Sequence, residues 1–367
     1  MHRSYILMLV LTLSQTCSEQ NSSTQTQVME GSIEAIATEY PSVEITQSNA
    51  EVIVLTGLDQ TIDWLKAEDW WGEPMQSEQL SVPRALITNM NRSWQEISRD
   101  IPVATKKAVF YRVLLPLIMH ANTIVIARRD RLEQMQQQLL SGSNLPAADL
   151  QWLAEICLTL RVIDASQTQT FGQDSSTVQT AIEEALYRID VVPAGLALGQ
   201  AAYESGYGTS RFATQGNALF GQWDFDNKGI TPLQQRTELG DYRVASFDWP
   251  FDSVRSYFIN LSRHPAYEEF RRLRAEMRTA GQALDSLKLA EGLSSYSEQG
   301  QEYVKTLQGI IRVNNLAIAD DAVFRDEPLR FLVHMEDEAD ASNFRSALDV
   351  MRESGLLAEV IERMNLY

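Results

Sequence analysis

The feature that most constrains this sequence is a run of small residues at helical spacing, "PAGLALGQAAYESGYG", which begins at Pro193. Proline suits the first turn of a helix, and Gly206 and Gly208 suit its end. Inside the predicted helix, Gly195 and Gly199 each cost about 1 kcal/mol of helix stability relative to alanine. Such a cost needs a packing reason, so the run predicts a thin helix that neighbouring elements approach closely.

A single carboxylate, Glu204, lies in the last turn of this predicted helix. The negative end of the helix dipole and partial burial would both disfavour its charged form. We therefore expect the pKa of Glu204 to be raised, as a general acid near neutral pH requires. The alternative is a solvated glutamate, because helix ends often carry such residues.

Aromatic residues follow the glutamate in "GNALFGQWDFDNKG", which reads as a strand followed by a turn. The rings of Phe220, Trp223 and Phe225 are suited to stacking on sugars, and the alternative for each is the hydrophobic core. Tyr296 and Tyr303 lie in a later helical stretch, either at the edge of the core or in a groove with their hydroxyls exposed.

A second carboxylate is expected if the chain hydrolyses glycosides, because that reaction usually needs two. Their separation is about 5–5.5 Å for retention and about 6.5–9.5 Å for inversion. Glu238 lies in the next pair of predicted strands. The sequence identifies Glu204 and Glu238 as candidate partners but does not give the distance between their carboxyl groups. Four aspartates compete for the second role: Asp224, Asp226, Asp241 and Asp248.

Composition narrows the class of protein. The chain has 367 residues, 44% hydrophobic and 22% charged, which is typical of a soluble globular protein. Its formal net charge of −18 argues against a nucleic-acid partner, because no basic field exists to displace counterions. The four histidines are scattered without metal-ligand spacing, so we expect neither a metal nor a cofactor.

The N-terminus predicts export to the periplasm or cell envelope. Residues 1–17 read as a signal peptide with a nine-residue apolar run, "YILMLVLTL", although a buried N-terminal helix is the alternative. Cys17 stands where a lipid-modified cysteine would stand, so a lipid anchor is a second possibility, although "LSQTC" is a poor lipidation signal. Residues 18–52 are polar and aperiodic, which indicates a flexible tether.

The rest of the chain divides into three predicted regions. Residues 53–180 form a helical N-terminal region, in which Pro116 suggests a kink or boundary. The apolar stretch 108–127 carries polar residues, so it reads as a buried helix rather than a transmembrane segment. Residues 181–316 alternate helices with short aromatic strands, and residues 317–367 form an acidic helical tail. The predicted fold class is α+β and mostly helical.

Three segments carry a specific resemblance: "PAGLALGQAAYESGYGTSRFATQGNALFGQW", "SVRSYFINLSRHPAYEEFRRLR" and "YSEQGQEYVKTLQGIIRVNNL". They resemble the Bax family of bacterial glucosaminidase-domain proteins, which is similar to the family 73 glycoside hydrolases. The resemblance implies a lysozyme-like domain with a small β-lobe at residues 181–316. It also implies cleavage of β-1,4-linked N-acetylglucosaminyl bonds in peptidoglycan glycan strands.

The resemblance assigns roles by position. Glu204 matches the general acid of the family, and Glu238 stands at the place comparable to its second acid. Tyr296 matches a tyrosine that lines the groove, and the family often has tryptophan at the position of Tyr207. The residue patterns and the resemblance together predict six substrate-binding residues: Tyr207, Asn217, Phe220, Trp223, Tyr296 and Tyr303.

Two other functions stay open at this stage. A lytic transglycosylase would share the fold and the single acid, although that class follows its glutamate with a "GLMQ"-like run that this chain lacks. A non-catalytic peptidoglycan-binding envelope protein would keep the fold alone. For the hydrolase, either Glu238 activates water or the acetamido group of the substrate assists.

Overall fold

The computed structural model describes residues 51–72, 79–224, 229–232 and 243–354, without the side chains of Trp223, Asp224 and Met351. It confirms a mostly helical α+β fold. The α-helices are α1 Gly57–Ala67, α2 Trp94–Ile97, α3 Val103–Leu140, α4 Ala147–Thr159, α5 Ser175–Arg188, α6 Ala194–Ser205, α7 Arg211–Gly216, α8 Pro250–Arg263, α9 Glu268–Thr279, α10 Ser286–Ala290, α11 Gln301–Val313 and α12 Glu338–Glu353. Short 3-10 helices span Pro265–Tyr267, Glu291–Leu293 and Leu316–Asp321.

The strands are short and lie in three sheets among the described residues. They are β1 Glu51–Thr56, β2 Ser81–Val82, β3 Ala85–Ile87, β4 Trp223–Asp224, β5 Arg243–Val244, β6 Val323–Phe324 and β7 Arg330–Met335. β4 and β5 pair antiparallel, in the place of the predicted β-lobe.

Helix α3 is the central element of the core. It runs for 38 residues and continues through Pro116, where the sequence suggested a kink or boundary. Its buried face packs against α5, α6, α8 and β3. By length and composition α3 alone, among the described helices, could cross a membrane, but 78% of its apolar window is buried inside the protein. This burial agrees with the prediction of a core helix.

The two ends of the described chain meet in a parallel sheet of order β1-β7-β3. Glu51 pairs with Arg330 and Thr56 with Met335, while Ala85 lies on the other side of Arg330. A second parallel pair joins β2 to β6. The sequence analysis assigned residues 51 and 52 to the flexible tether and the rest of these strands to helical regions. It did not predict the strands, because each short strand is stabilised by a partner at the opposite end of the chain.

Candidate active site

The small-residue helix, α6, forms as predicted and ends at Gly206, whose φ of 59° is left-handed. A Cβ at Gly195 would lie 2.3 Å from the carbonyl oxygen of Leu316, and one at Gly199 would lie 3.0 Å from Cγ1 of Ile311. The glycines therefore let the 3-10 segment Leu316–Asp321 and helix α11 approach the backbone of α6. This close packing is the compensation for their low helix propensity.

A distant carboxylate anchors the start of α6. Oδ1 of Asp320 accepts hydrogen bonds from the backbone N–H of Gly195 (2.8 Å) and from the hydroxyl of Ser286 (2.6 Å). Oδ2 of Asp320 accepts from the backbone N–H of Ser286 (2.9 Å). One side chain thus links the first turns of α6 and α10, which holds the helix that carries Glu204 in a fixed position.

The carboxylate of Glu204 is half-buried between two groups. Oε1 accepts a hydrogen bond from the hydroxyl of Tyr303 at 3.1 Å. Oε2 faces Gly221, where an added Cβ would lie 3.1 Å from that oxygen. Gly221 is an exposed residue, so Oε2 lies next to the protein surface, whereas Oε1 faces the buried Tyr303.

Burial raises the pKa of Glu204 to about 7, and the hydrogen bond from Tyr303 opposes this rise. The predicted direction is therefore confirmed, and burial is its main cause. A carboxyl group with this pKa holds its proton near neutral pH, and its conjugate base persists there in comparable amount. The arrangement suits a group that gives up a proton and recovers it.

Four tyrosines surround this carboxylate. The ring of Tyr296 stacks on that of Tyr303 with centroids 5.7 Å apart, and it contacts Tyr257 at 6.4 Å and Tyr267 at 5.6 Å. Burial raises the pKa of each hydroxyl, and the negative charge of Glu204 is a further cause for all four. The tyrosines therefore stay neutral and supply hydroxyl dipoles without competing negative charge.

Two residues that the sequence analysis did not select complete a hydrogen-bond chain. The hydroxyl of Tyr257 donates to Oε1 of Gln200. Nε2 of Gln200 donates to the hydroxyl oxygen of Tyr303 at 3.0 Å, and Tyr303 donates to Glu204. Gln200, Tyr257 and Tyr303 each have a relative exposure of 0%. Gln200 lies four positions before Glu204, one turn away on α6, and this spacing was the available sequence signal.

Three predicted substrate-binding residues have other roles in the structure. Phe220 is 1% exposed and its ring stacks on Tyr257 at 4.0 Å, so its face is not available to a sugar. Tyr303 is fully buried and holds Glu204 instead of lining a groove. Both aromatic residues took the alternative noted for them, the core: Phe220 packs against Tyr257 of α8, and Tyr303 lies on the buried face of α11.

Asn217 is the third of these residues. Its Nδ2 donates to the carbonyl oxygens of Phe247 and Asp248, both at 3.0 Å, and its Oδ1 accepts from the backbone N–H of Met90 at 3.0 Å. The amide thus joins the N-terminal region to the domain, and its two N–H donors are both used. Its own left-handed φ of 51° ends helix α7.

Tyr207 packs against the N-terminal region. Its ring meets Phe110 and Tyr111 edge to face, both at 5.9 Å, and its carbonyl oxygen accepts a 2.9 Å hydrogen bond from Nε1 of Trp94. A Cβ at the next residue, Gly208, would lie 2.8 Å from Cε of Met90. The turn directly after Glu204 is therefore clamped by residues that precede the domain in sequence.

Tyr296 is the predicted groove residue that lies beside the site. It is partly buried, and its hydroxyl donates to the carbonyl oxygen of Phe220 at 2.9 Å. Trp223 contributes backbone to β4, and its side chain is not described. Glu238, Asp226 and Asp241 lie outside the described residues. Within the described part of the chain, no group of His, Cys, Asp and Glu residues could hold a metal ion.

The sequence around this site is similar to known proteins. Residues 179–316 match the family model of the glucosaminidase domain, described as mannosyl-glycoprotein endo-β-N-acetylglucosaminidase. Protein Bax of Escherichia coli (strain K12) is 29% identical over 225 residues, which is 60% of this chain and 74% of Bax. No solved structure matches the chain significantly. The matched range contains Glu204, Gln200 and all four tyrosines.

Proposed function

From the premise that residues 179–316 form a glucosaminidase-family domain in a Bax-like chain, we propose that the protein is a peptidoglycan hydrolase. It cleaves β-1,4 N-acetylglucosaminyl bonds with Glu204 as general acid. The observation that carries the proposal is the environment of Glu204: burial raises its pKa to about 7, and Oε2 faces exposed Gly221.

The reaction begins with transfer of the Glu204 proton to the glycosidic oxygen. The bond between that oxygen and the sugar C1 breaks, the leaving sugar keeps the proton as a hydroxyl, and positive charge develops on C1 and the ring oxygen. Water then adds to C1. Tyr303 stabilises the carboxylate that Glu204 becomes, because its hydroxyl donates to Oε1.

The proposal includes two routes for the addition of water. In the first, Glu238 removes a proton from the water as it attacks C1. In the second, the acetamido oxygen of the substrate attacks C1, and water opens the resulting ring while Glu204 recovers its proton. Replacement of Glu238 by glutamine distinguishes them, because the first route loses nearly all activity and the second retains most of it.

Location and partners follow from the substrate. We propose that the chain is exported to the periplasm or cell envelope, where residues 1–17 act as a signal peptide. A lipid anchor at Cys17 is the related prediction for attachment to a membrane. Both are checked by mass spectrometry of the mature N-terminus, which gives the cleavage site and any added acyl mass.

The test of function is digestion of purified sacculi by the wild-type protein and by Glu204→Gln, with mass spectrometry of the products. New reducing N-acetylglucosamine ends from wild type, at least about a hundredfold fewer with Glu204→Gln, are expected for loss of a general acid. Products with 1,6-anhydromuramic ends would instead identify a lytic transglycosylase. Binding of glycan by both proteins with no cleavage would identify a non-catalytic envelope protein.

A further inference from the structure

The buried side chains of Tyr257, Gln200 and Tyr303 form a series of hydrogen bonds with a single donor direction. Each of its three hydrogen bonds is donated toward Glu204: Tyr257 to Gln200, Gln200 to Tyr303, and Tyr303 to Oε1 of the carboxylate. It links three helices, since Tyr257 lies on α8, Gln200 on α6 and Tyr303 on α11. With 0% exposure, none of the three side chains can exchange its partner for bulk water.

The amide of Gln200 sets the donor-to-acceptor direction of these hydrogen bonds. The buried hydroxyl proton of Tyr257 needs an acceptor, and Oε1 of the amide supplies it. The NH₂ group of the same amide must then point to Tyr303, where it donates to the hydroxyl oxygen. Tyr303 therefore directs its own proton to Glu204.

The consequence concerns the two oxygens of the carboxyl group. Oε1 is occupied as an acceptor by the hydroxyl of Tyr303, whereas Oε2 lies on the exposed side beside Gly221. A proton on Oε1 would oppose the proton that Tyr303 presents to it. We propose that Tyr257, Gln200 and Tyr303 form a positioning relay that keeps Oε1 an acceptor and leaves Oε2 to carry the acidic proton.

The inference rests on the proposed function for its catalytic meaning, because it names the oxygen of Glu204 that protonates the substrate. The three relay residues touch Glu204 directly or through one another and are positioning residues. Among the described residues, the charge of Glu204 acts on four ionisable groups, all tyrosines: Tyr303 on α11, Tyr257 on α8, Tyr267 in the 3-10 segment Pro265–Tyr267 and Tyr296 before α11.

The relay also stabilises the charged form of Glu204. Three aligned donors polarise one another, so the last bond is stronger than an isolated hydroxyl contact. This effect opposes the burial that raises the pKa of Glu204. Removal of any member is therefore expected to raise that pKa further, by an amount that declines with distance from the carboxylate.

The test measures the ionisation of Glu204 in the full chain, without reference to activity. The free energy of unfolding is followed against pH for each protein and for the same protein carrying Glu204→Gln, and the difference isolates the titration of this one group. We expect Tyr303→Phe to raise the pKa of Glu204 by about one to two units. For Tyr257→Phe we expect a rise of a few tenths of a unit, with Gln200→Met in between.

Tyr187→Phe is the matched control. It removes a tyrosine hydroxyl that donates at 2.6 Å to a different glutamate, Glu268, so it should leave the pKa of Glu204 unchanged. If Tyr303→Phe raises the pKa of Glu204 and Tyr257→Phe does not, the relay is overturned, because the effect on Glu204 would then come from Tyr303 alone. If Gln200→Met does not fold, the two phenylalanine variants still decide this point.

Infrared spectroscopy tests which oxygen carries the proton. In the difference between wild type and Glu204→Gln at acidic pH, the carbonyl stretch of protonated Glu204 reports the oxygen without the proton. If that oxygen is Oε1, Tyr303→Phe removes its hydrogen bond and the stretch moves to higher frequency. An unmoved stretch would place the proton on Oε1 and refute the proposal.

These measurements separate the two proposals. If the relay variants shift the pKa of Glu204 but the wild-type protein leaves sacculi intact, the relay proposal stands and the hydrolase proposal is rejected. Cleavage of sacculi with unshifted ionisation in all three variants would retain the hydrolase and reject the relay.

Discussion

Gly221 lies so close to Glu204 that a Cβ at residue 221 would come within 3.1 Å of Oε2. The φ of Gly221 is +61°, a left-handed conformation that residues with a side chain rarely adopt. Glycine at this position therefore permits both the left-handed turn before β4 and the close approach of Oε2.

Replacement of Gly221 by alanine should reduce kcat by about tenfold, because the added methyl group displaces Oε2 and covers it. The measurement is the initial rate of sacculus digestion at saturating substrate. Gly281→Ala is the control: Gly281 has a similar φ of +65°, and nothing lies within 4 Å of its added Cβ. It should lose comparable stability and keep full activity, whereas equal activity losses in both variants would contradict the prediction.

Glu204→Gln should stabilise the protein at alkaline pH. Burial raises the pKa of Glu204 from 4.5 to about 7, so the folded state disfavours the charged form. The favourable contribution of this group is complete below pH 4.5 and is lost as the pH rises through 7. Relative to wild type, the variant should therefore gain stability between pH 4.5 and 8.5, by at most about 3 kcal/mol.

Chemical denaturation of both proteins at these two pH values checks this expectation. The stability difference between wild type and Glu204→Gln should be larger at pH 8.5. An identical difference at both values would show that Glu204 titrates alike in the folded and unfolded states.

Acid should destabilise the protein through His120. This side chain is 6% exposed, and burial, with the positive charge of Arg84, lowers its pKa from 6.5 to about 4. The contribution of neutral His120 is present above pH 6.5 and is lost as the pH falls toward 4. It amounts to about 3 kcal/mol at most.

His120→Asn should flatten the decline of unfolding free energy between pH 6.5 and 4, measured by urea titration at several pH values. The comparison is with wild type, and only the slope matters, since the substitution also changes packing against Phe251. An unchanged slope would assign the acid sensitivity to other groups.

The segment that matches the glucosaminidase model should not fold alone. The family match covers residues 179–316, but α3 precedes that range and packs against α6 and α8 within it and against α5, which begins at Ser175 and crosses its boundary. Trp94 and Asn217 add hydrogen bonds across the same boundary. A fragment of residues 179–316 should show no cooperative thermal unfolding by circular dichroism, whereas residues 51–354 should. Cooperative unfolding of the short fragment would refute this dependence.

Local features of the site could be predicted from the sequence. The small residues predicted a closely packed helix that carries Glu204 in its last turn, and glycine predicted the end of that helix. The motifs also indicated the family of the domain. These predictions succeed because helix geometry and helix ends depend on residues within a few positions of one another.

The partners of that glutamate required the tertiary structure. Tyr303 lies 99 residues after Glu204, and Tyr257 lies 57 residues from Gln200, so no spacing rule joins them. Periodicity placed aromatic residues on buried faces or at a groove, but it could not say that two of them would donate hydrogen bonds toward a carboxylate.

The distinction between local and long-range contacts also explains which other parts of the fold could be predicted from the sequence. Helices with strong periodicity, such as α8 and α11, are specified by their own residues. Strands β1 and β7 are six residues each and are stabilised by hydrogen bonds to each other across the whole chain. The pairing of these strands depends on distances between residues that are far apart in the sequence. The same is true of the hydrogen bonds that Asp320 accepts from α6 and α10 and of the direction of the relay. Only packing of the complete chain sets those distances.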